Sequence, residues 1–194
     1  MTFTEKTSRY RWFYALRTKD QVLDKLKLLV AEIKSLGFKL SMLHCDNGGE
    51  YDNGPMRMFA QQNGFVLHFT QPHTPNSNAM QERFNRVLGE RARALLRDAN
   101  LPKMLWPQAM STATYVYNRL PSPSNKPGEC RTPFEMLFGE KPDVSHMRVF
   151  GCDAHAYDFN VKRQYLDDRA IKGVFVGYDS ESAAYNIYLR CEKL

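Results

Sequence analysis

The sequence predicts an α/β domain followed by a small module of β-strands. Strand-like and helix-like patterns alternate over residues 9–70, which is the order expected for a sheet covered by helices. After residue 146 three short apolar runs follow, at 147–157, 171–178 and 185–189. With 194 residues, of which 43% are hydrophobic, the chain has enough apolar material for one domain of ordinary size and a small module.

The first strand and the first helix are predicted from adjoining segments. Residues 9–16 read Arg-Tyr-Arg-Trp-Phe-Tyr-Ala-Leu, an aromatic composition typical of a strand. Apolar residues then recur with a helical period over 20–36, and Gly37 ends this predicted helix. Thr18 and Gln21 have the residue types and the spacing of a capping box at its start.

The next strand is predicted at residues 40–45, a short and mostly apolar run that suits a central strand. Asp46 directly follows it, at the carboxyl end of a strand, where ligands of open α/β sheets tend to bind. The Asn-Gly-Gly that comes next is also ordinary turn chemistry, so Asp46 alone has two open interpretations, metal ligand or turn residue. We interpret Glu50 as a structural loop residue and Cys45 as part of the core.

A helix at 55–63 and a strand at 65–70 complete the alternating region, with Gly64 as the helix stop. His44 and His68 each lie in a predicted strand among apolar residues. A hydrogen-bonded structural role is the preferred interpretation for both, ahead of metal binding.

An exposed loop and a long helix are predicted next. Residues 71–78 contain two prolines and several polar turn formers, and His73 in this loop is either a phosphate contact or an idle loop residue. The longest helical pattern covers 79–99 and places Glu82 on its outward face. Without further information, Glu82 is interpreted as a surface acid paired with Arg86 four residues later.

The charge balance favours a polyanionic partner. Twenty-seven Lys and Arg residues against 21 Asp and Glu give a net charge of +6 and a pI near 9.1. Arg83, Arg86 and Arg93 lie on the predicted helix 79–99, and the last two share the face of Glu82.

The sequence lacks the patterns of zinc-binding, membrane-spanning and secreted proteins. The four cysteines are scattered, without a Cys-x-x-Cys pair, and are expected to be reduced and mostly buried. No apolar run is long enough to cross a bilayer and the N-terminus lacks a signal-peptide pattern, so we expect no membrane partner. The expected location is the nucleus or the cytoplasm.

The second half contains two further predicted helices and a linker. Residues 121–128 are rich in Pro, Ser and Asn and are predicted to form the linker, and Thr132 begins a short helix after it. Before the linker, a helix begins near Trp106. Its predicted buried side consists of Ala109, Ala113, Val116, Tyr117 and Leu120.

Several motifs carry a family resemblance. Asp-Asn-Gly-Gly-Glu-Tyr begins at Asp46, Thr-Pro-x-x-Asn-x-x-x-Glu-Arg-x-Asn-Arg contains Glu82, and 35 residues separate the two acids. Together with Leu-Pro-x-x-x-Trp-x-x-Ala at 101–109, these motifs resemble the integrase core of Ty1/copia-type retrotransposons. Arg-Val-Phe-Gly-Cys at 148–152 and Gly-Val-Phe-Val-Gly-Tyr at 173–178 resemble the SH3-like barrel that follows such cores.

The resemblance implies an RNase H-like integrase core at 1–121, a linker with a short helix at 122–145 and an SH3-like β domain at 146–194. It implies that three acids bind Mg²⁺ or Mn²⁺ and join element DNA to target DNA by phosphoryl transfer. Asp46 and Glu82 would fill two of these catalytic and metal-binding positions.

The partners implied by the resemblance are DNA, both element ends and target, and a further copy of the chain in a homo-oligomer. The nucleic-acid contacts expected on this basis are His73, Asn78, Arg83, Arg86 and Arg93.

The chain also departs from the family pattern. The family's first catalytic Asp belongs to a preceding strand, which we expect upstream of Met1. Ala-Met-Gln at 79–81 stands where the family has Gly-Val-Ala, and Phe84 replaces a position that is usually basic. Two hypotheses therefore stay open, an integrase fragment that needs the upstream strand and an inactive transposon-derived remnant that binds nucleic acid. A general RNase H-like nuclease fits the two acids but not the barrel motifs.

Overall fold

The computed structural model describes residues 1–45, 48–69, 79–121, 130–157, 169–179, 182 and 184–189. Within these residues, strands and helices alternate first and short strands follow, which confirms the predicted mixed α/β class. The elements in chain order are β1 (Thr2–Thr4), β2 (Arg11–Phe13), α1 (Val22–Ser35), β3 (Met42–Cys45), α2 (Gly54–Asn63), β4 (Val66–Phe69), α3 (Ala79–Asp98), α4 (Trp106–Arg119), α5 (Pro133–Phe138), β5 (Asp153–Tyr157), β6 (Ala170–Tyr178) and β7 (Tyr185–Tyr188).

The chain divides into two compact units. The first unit comprises Met1–Phe3 and Tyr14–Phe84, and the second comprises Thr4–Phe13 and Asn85–Leu194. Helix α3 begins in the first unit and continues into the second. The boundaries of these two units differ from those of the predicted core, linker and SH3-like domain. The predicted domain division therefore stays a prediction.

The first unit contains a parallel strand pair joined through a helix. Strand β3 pairs with β4 in the register Met42–Cys45 to Val66–Phe69, and α2 lies between them in the chain. Asn53 begins α2, since its side-chain Oδ1 accepts a hydrogen bond from the backbone N of Met56 at 2.9 Å. Gly64 ends it with a φ of 69°, as the sequence predicted.

Helix α1 also lies in the first unit and follows the predicted periodicity. Its buried residues are Val22, Leu26, Leu29 and Val30. The predicted capping box at its start is wrong, because the Thr18 hydroxyl makes no capping hydrogen bond. A 3₁₀ turn at Lys19–Gln21 precedes the helix instead, and the Gln21 Oε1 accepts a hydrogen bond from the backbone N of Arg17 at 3.0 Å.

The first predicted strand is shorter in the structure than the sequence suggested, since β2 covers Arg11–Phe13 alone. Arg9 has a φ of 63°, in the left-handed region, so an extended strand does not begin at this residue. The Glu5 carboxylate organises the turn that precedes β2. It accepts hydrogen bonds from the backbone N of Thr7, at 2.9 and 3.0 Å, and from the Ser8 hydroxyl at 2.6 Å.

We predict that the hydrogen-bonded Glu5 carboxylate makes the stability of the fold depend on pH. Burial alone would raise the pKa of the Glu5 carboxyl, but hydrogen bonds from Ser8 and Thr7 outweigh burial and hold that pKa below its usual value of 4.5. A carboxyl with a lowered pKa in the folded chain stabilises the fold above pH 4.5, and the contribution is lost as the pH falls through the folded pKa. We expect Glu5→Gln to lower the free energy of unfolding at neutral pH and to flatten its decline in acid.

Urea unfolding at a series of pH values measures this effect. Asp24→Asn, which removes an exposed carboxylate on α1, is the control for the loss of one negative charge. A Glu5→Gln variant with the same pH profile as the parent chain would contradict the assigned role of the carboxylate.

The second unit contains an antiparallel sheet in which β6 pairs with β5 and with β7. Helix α4 packs on β6. The predicted strand at 147–157 begins only at Asp153, because the chain turns at Gly151, whose φ is 90°. The buried apolar cluster of this unit consists of Ala92, Leu96, Leu101, Leu105, Ala109, Phe150, Val174 and Val176.

The buried side of α4 differs from the prediction. Ala109 and Ala113 are buried as expected, but Leu120 is 45% exposed. The polar residue Asn118 is buried in place of another apolar residue. Its Oδ1 accepts a hydrogen bond from the backbone N of Arg11 at 3.0 Å and its Nδ2 donates to the Arg11 carbonyl at 2.8 Å, so its polar atoms are satisfied.

The cysteines are not mostly buried within the described residues. Cys45 is buried, Cys152 is half-buried and Cys130 is exposed, and none of the three forms a disulfide bond with a described residue. Cys191 lies outside the described residues, as do residues 122–129 of the predicted linker. Among the helices that the structure describes, none is long and apolar enough to cross a membrane.

Candidate nucleic-acid interface on helix α3

Helix α3 presents the predicted site residues that lie in the described part of the chain. Glu82, Arg83, Arg86 and Arg93 are all exposed on this helix, as the sequence predicted. Asp46, His73 and Asn78 lie outside the described residues.

The periodicity of α3 explains why these charged residues face outward. The buried positions recur at every fourth residue along the helix, which is the spacing of one helical face. These positions are Phe84, Leu88, Ala92 and Leu96. Since the apolar face anchors the helix, the acid and the arginines are left at the surface.

Glu82 lies in the first turn of α3 and makes no ion pair with any residue that the structure describes. Glu82 is a surface acid, but the predicted ion pair with Arg86 is not formed. A carboxylate in the first helical turn is favourably placed with respect to the helix dipole. Its oxygens are consequently available to a ligand from outside the described residues.

The strand pair β3 and β4 is parallel. Because β3 and β4 run in the same direction with Cys45 opposite Phe69, their carboxyl ends lie at the same edge of the pair. Asp46 follows Cys45 in the sequence but lies outside the described residues, so its predicted position at a strand end stays a prediction.

Glu50 is held in the turn that precedes α2, in agreement with its predicted structural role. Its Oε1 lies 3.6 Å from the Lys19 Nζ, and its side chain is only 23% exposed. A Cβ atom at Gly48 would lie 2.7 Å from the Glu50 carboxylate, so a larger residue there would displace the end of the Glu50 side chain. The sequence analysis missed both Gly48 and Lys19 as the residues that position Glu50.

The two strand histidines are neighbours rather than separate core residues. His44 and His68 are opposite one another across β3 and β4, and their ring centroids are 4.7 Å apart. Both side chains are exposed, and neither imidazole hydrogen-bonds to a described residue, so the predicted hydrogen-bonded role is not observed there. The described ranges contain no group of three His, Cys, Asp or Glu side chains that would hold a metal ion.

Similar proteins align along almost the whole chain. The chain is 37% identical over 189 residues to the retrovirus-related Pol polyprotein from transposon TNT 1-94 of Nicotiana tabacum, and 97% of it is covered. It is 35% identical over 185 residues to the Pol polyprotein from transposon RE2 of Arabidopsis thaliana, with 94% covered. It is also 32% identical over 193 residues, with 97% covered, to the Ty1-LR3 Gag-Pol polyprotein of Saccharomyces cerevisiae.

The chain is a homologue of the Pol polyproteins of Ty1/copia-type retrotransposons. It spans 14%, 12% and 11% of the lengths of these three Pol relatives. Residues 152–193 match the family model of the retroviral polymerase SH3-like domain, which includes strands β5, β6 and β7. The predicted resemblance to a Pol segment with an SH3-like domain is confirmed.

Solved structures of integrases share the fold of this Pol homologue. A structure of the HTLV-2 integrase catalytic core domain in complex with magnesium is 17% identical, with a TM-score of 0.53, and covers 70% of this chain and 81% of that one. A chain of the simian T-cell lymphotropic virus intasome in complex with the PP2A regulatory subunit B56 gamma is 16% identical, with a TM-score of 0.54, and covers 99% and 72%. These likenesses show the predicted RNase H-like integrase-core fold.

Proposed function

We propose that this chain is the central part of a retrotransposon integrase and joins element DNA to target DNA by metal-dependent phosphoryl transfer. The observation that carries the proposal is the outward face of α3. There Glu82 is exposed without an ionic partner among the described residues, and Arg83, Arg86 and Arg93 are exposed on the same helix. We also propose the division into a core at 1–121, a linker at 122–145 and an SH3-like domain at 146–194.

The carboxylate set requires a third acid besides Asp46 and Glu82. We propose that it comes from a strand of the longer Pol polyprotein that precedes Met1. Strand β3 supports this proposal, because β4 is its single strand neighbour within the described residues. A two-stranded sheet is marginal by itself, whereas one more strand beside β3 would extend it to the three strands of a stable sheet.

The donor set fits a hard divalent cation. Mg²⁺ prefers oxygen ligands, and both Asp46 and Glu82 offer carboxylate oxygens. Glu82 fits this role because its carboxylate is exposed and not already paired with a described cation. When bound by these residues, Mg²⁺ or Mn²⁺ would supply Lewis-acid stabilisation of the negative charge that develops on phosphate oxygens.

The arginines of α3 supply the contacts that position DNA. Arg83, Arg86 and Arg93 are exposed, and guanidinium groups bind phosphate oxygens in a bidentate geometry. Such contacts carry no information about base sequence, so they suit a protein that accepts many target sites. The net charge of the whole chain, +6, adds a general attraction for DNA.

Strand transfer of a labelled element-end oligonucleotide into a plasmid tests the proposed function. The protein is the chain extended upstream by the preceding Pol segment, with Mg²⁺ or Mn²⁺ present. We expect joined products that disappear when the metal is removed with a chelator. An extended chain that folds and binds DNA but yields no joined product would contradict the proposal and favour an inactive remnant.

The double variant Arg86→Glu/Arg93→Glu tests the DNA contacts on α3. If each arginine contacts one phosphate, the variant should bind duplex DNA more weakly and show a log-affinity against log-salt slope smaller by about 2. Fluorescence anisotropy at a series of salt concentrations measures both quantities. Lys27→Glu/Lys39→Glu changes the net charge equally through exposed residues of the first unit and is the matched control. Equal losses in both double variants would mean that only net charge matters.

A further inference from the structure

A wide groove runs beside the C-terminal half of α3 in the second unit, with a volume of about 870 Å³. Its floor is apolar, because Ala92, Leu96 and Leu101 belong to the buried cluster of this unit. Gly89 opens the groove further, since a Cβ atom at this position would meet no atom within 4 Å. The volume lies in the range of sites that hold a substantial apolar group.

The groove is bordered by positive charge. Arg93, Arg97 and Lys103 line it, and all three are exposed. None of them forms an ion pair with an acid in the described part of the chain. A binding partner that brings carboxylates to this rim would therefore gain ion pairs without breaking existing ones.

A large aromatic side chain lines the groove. Trp106 is 45% exposed there. An exposed Trp next to an apolar floor is typical of protein-binding surfaces, where such residues supply much of the binding energy. A surface that binds its partner through charge alone does not require an apolar floor, so this groove differs from such a surface.

We propose that the groove binds an acidic amphipathic helix of a partner protein. The apolar side of the helix would pack on Ala92, Leu96 and Leu101, and its carboxylates would pair with Arg97 and Lys103 at the rim. DNA is the less favoured occupant, because phosphates and sugars would leave the apolar floor without a complementary surface. The proposal is independent of the catalytic function, since it uses neither Asp46 nor Glu82.

A labelled synthetic peptide of about 18 residues provides the probe, with leucines on one helical face and glutamates on the other. A permuted peptide of the same composition, without the apolar face, is the matched control. We expect the full chain to bind the amphipathic peptide at least about tenfold more tightly than the permuted one, as measured by fluorescence anisotropy.

Two variants locate the binding site. Gly89→Leu fills the groove, and leucine suits a helix better than glycine, so the fold should be retained. Arg97→Glu/Lys103→Glu reverses the charge of the rim at exposed positions. We expect each variant to weaken binding of the amphipathic peptide by about tenfold or more, with circular dichroism spectra like that of the parent chain.

Three outcomes would overturn the proposal. Equal affinity for the two peptides would show that charge alone is recognised. Unchanged binding by Gly89→Leu, together with displacement of the peptide by duplex DNA, would assign the rim to the nucleic-acid surface. A dimer in sedimentation that Gly89→Leu abolishes would show that a second copy of this chain covers the groove.

Discussion

Replacement of Glu82 by Gln in the upstream-extended chain is expected to lower the rate of strand transfer by roughly 10³-fold. The amide has nearly the shape of the carboxylate but carries no charge, and Mg²⁺ requires charged oxygen ligands to be held firmly. Charge stabilisation by a bound metal contributes several kcal/mol to such a reaction, and each ~1.4 kcal/mol corresponds to a tenfold change in rate. Affinity for DNA should be retained or slightly increased, because a negative charge is removed beside the arginines.

A second exposed acid on α3 provides the control for the Glu82→Gln variant. Glu90 is also an exposed glutamate of α3, so Glu90→Gln makes the same chemical change at a position without an assigned role. We expect its strand-transfer rate to stay within about threefold of the parent chain. Comparable losses in both variants, or full activity of Glu82→Gln, would mean that Glu82 is not a ligand position.

The variant Gly151→Ala is expected to be strongly destabilised, by about 3 kcal/mol or more. Gly151 has a φ of 90°, which an alanine adopts at a cost of about 1–2 kcal/mol. A Cβ atom there would also lie 2.2 Å from the Ala99 Cβ, and an overlap of this kind in a packed region adds about 1–3 kcal/mol. Urea unfolding of the two proteins measures the difference in free energy.

Gly139 offers a matched control for the backbone contribution. Its φ is 80°, but a Cβ atom at this position meets nothing within 4 Å, so Gly139→Ala should lose only the backbone contribution. The difference between the two variants then measures the overlap with Ala99. Equal destabilisation of Gly139→Ala and Gly151→Ala would contradict the packing described for the second unit.

The elements predicted well from the sequence are those set by local patterns. Helices α1 and α3 follow the periodicity of their apolar residues, and α2 ends at Gly64 as expected. Short strands were predicted less well, since their ends depend on residues such as Arg9 and Gly151, whose left-handed backbone conformations are set by the turns around them. A period of two over a few residues gives little information about such boundaries.

Long-range hydrogen bonds explain the main error about buried residues. Asn118 was not expected in the core, because an isolated amide is costly to bury. Its partner is the backbone of Arg11, which is 107 residues away in sequence. A local sequence pattern therefore could not predict this contact. Leu120, which the helical period placed on the buried side, is exposed at the end of α4 instead.

The candidate site was predictable to the extent that motifs specified it. The motif around Glu82 located the outward acid and arginines of α3, and the structure agrees with their exposure. The groove beside the same helix was not predicted, because Gly89, Leu101 and Trp106 come from three different elements or connections that only the folded chain brings together.

The most direct test of the central claim compares strand transfer by the 194-residue chain with strand transfer by the upstream-extended chain, at equal concentrations and with Mg²⁺. Our account predicts that both bind DNA through α3 and that only the extended chain produces joined DNA, because only that chain supplies the third carboxylate. Joined products from the 194-residue chain, at a rate similar to that of the extended chain, would contradict this account, since an acid within these 194 residues would then complete the site.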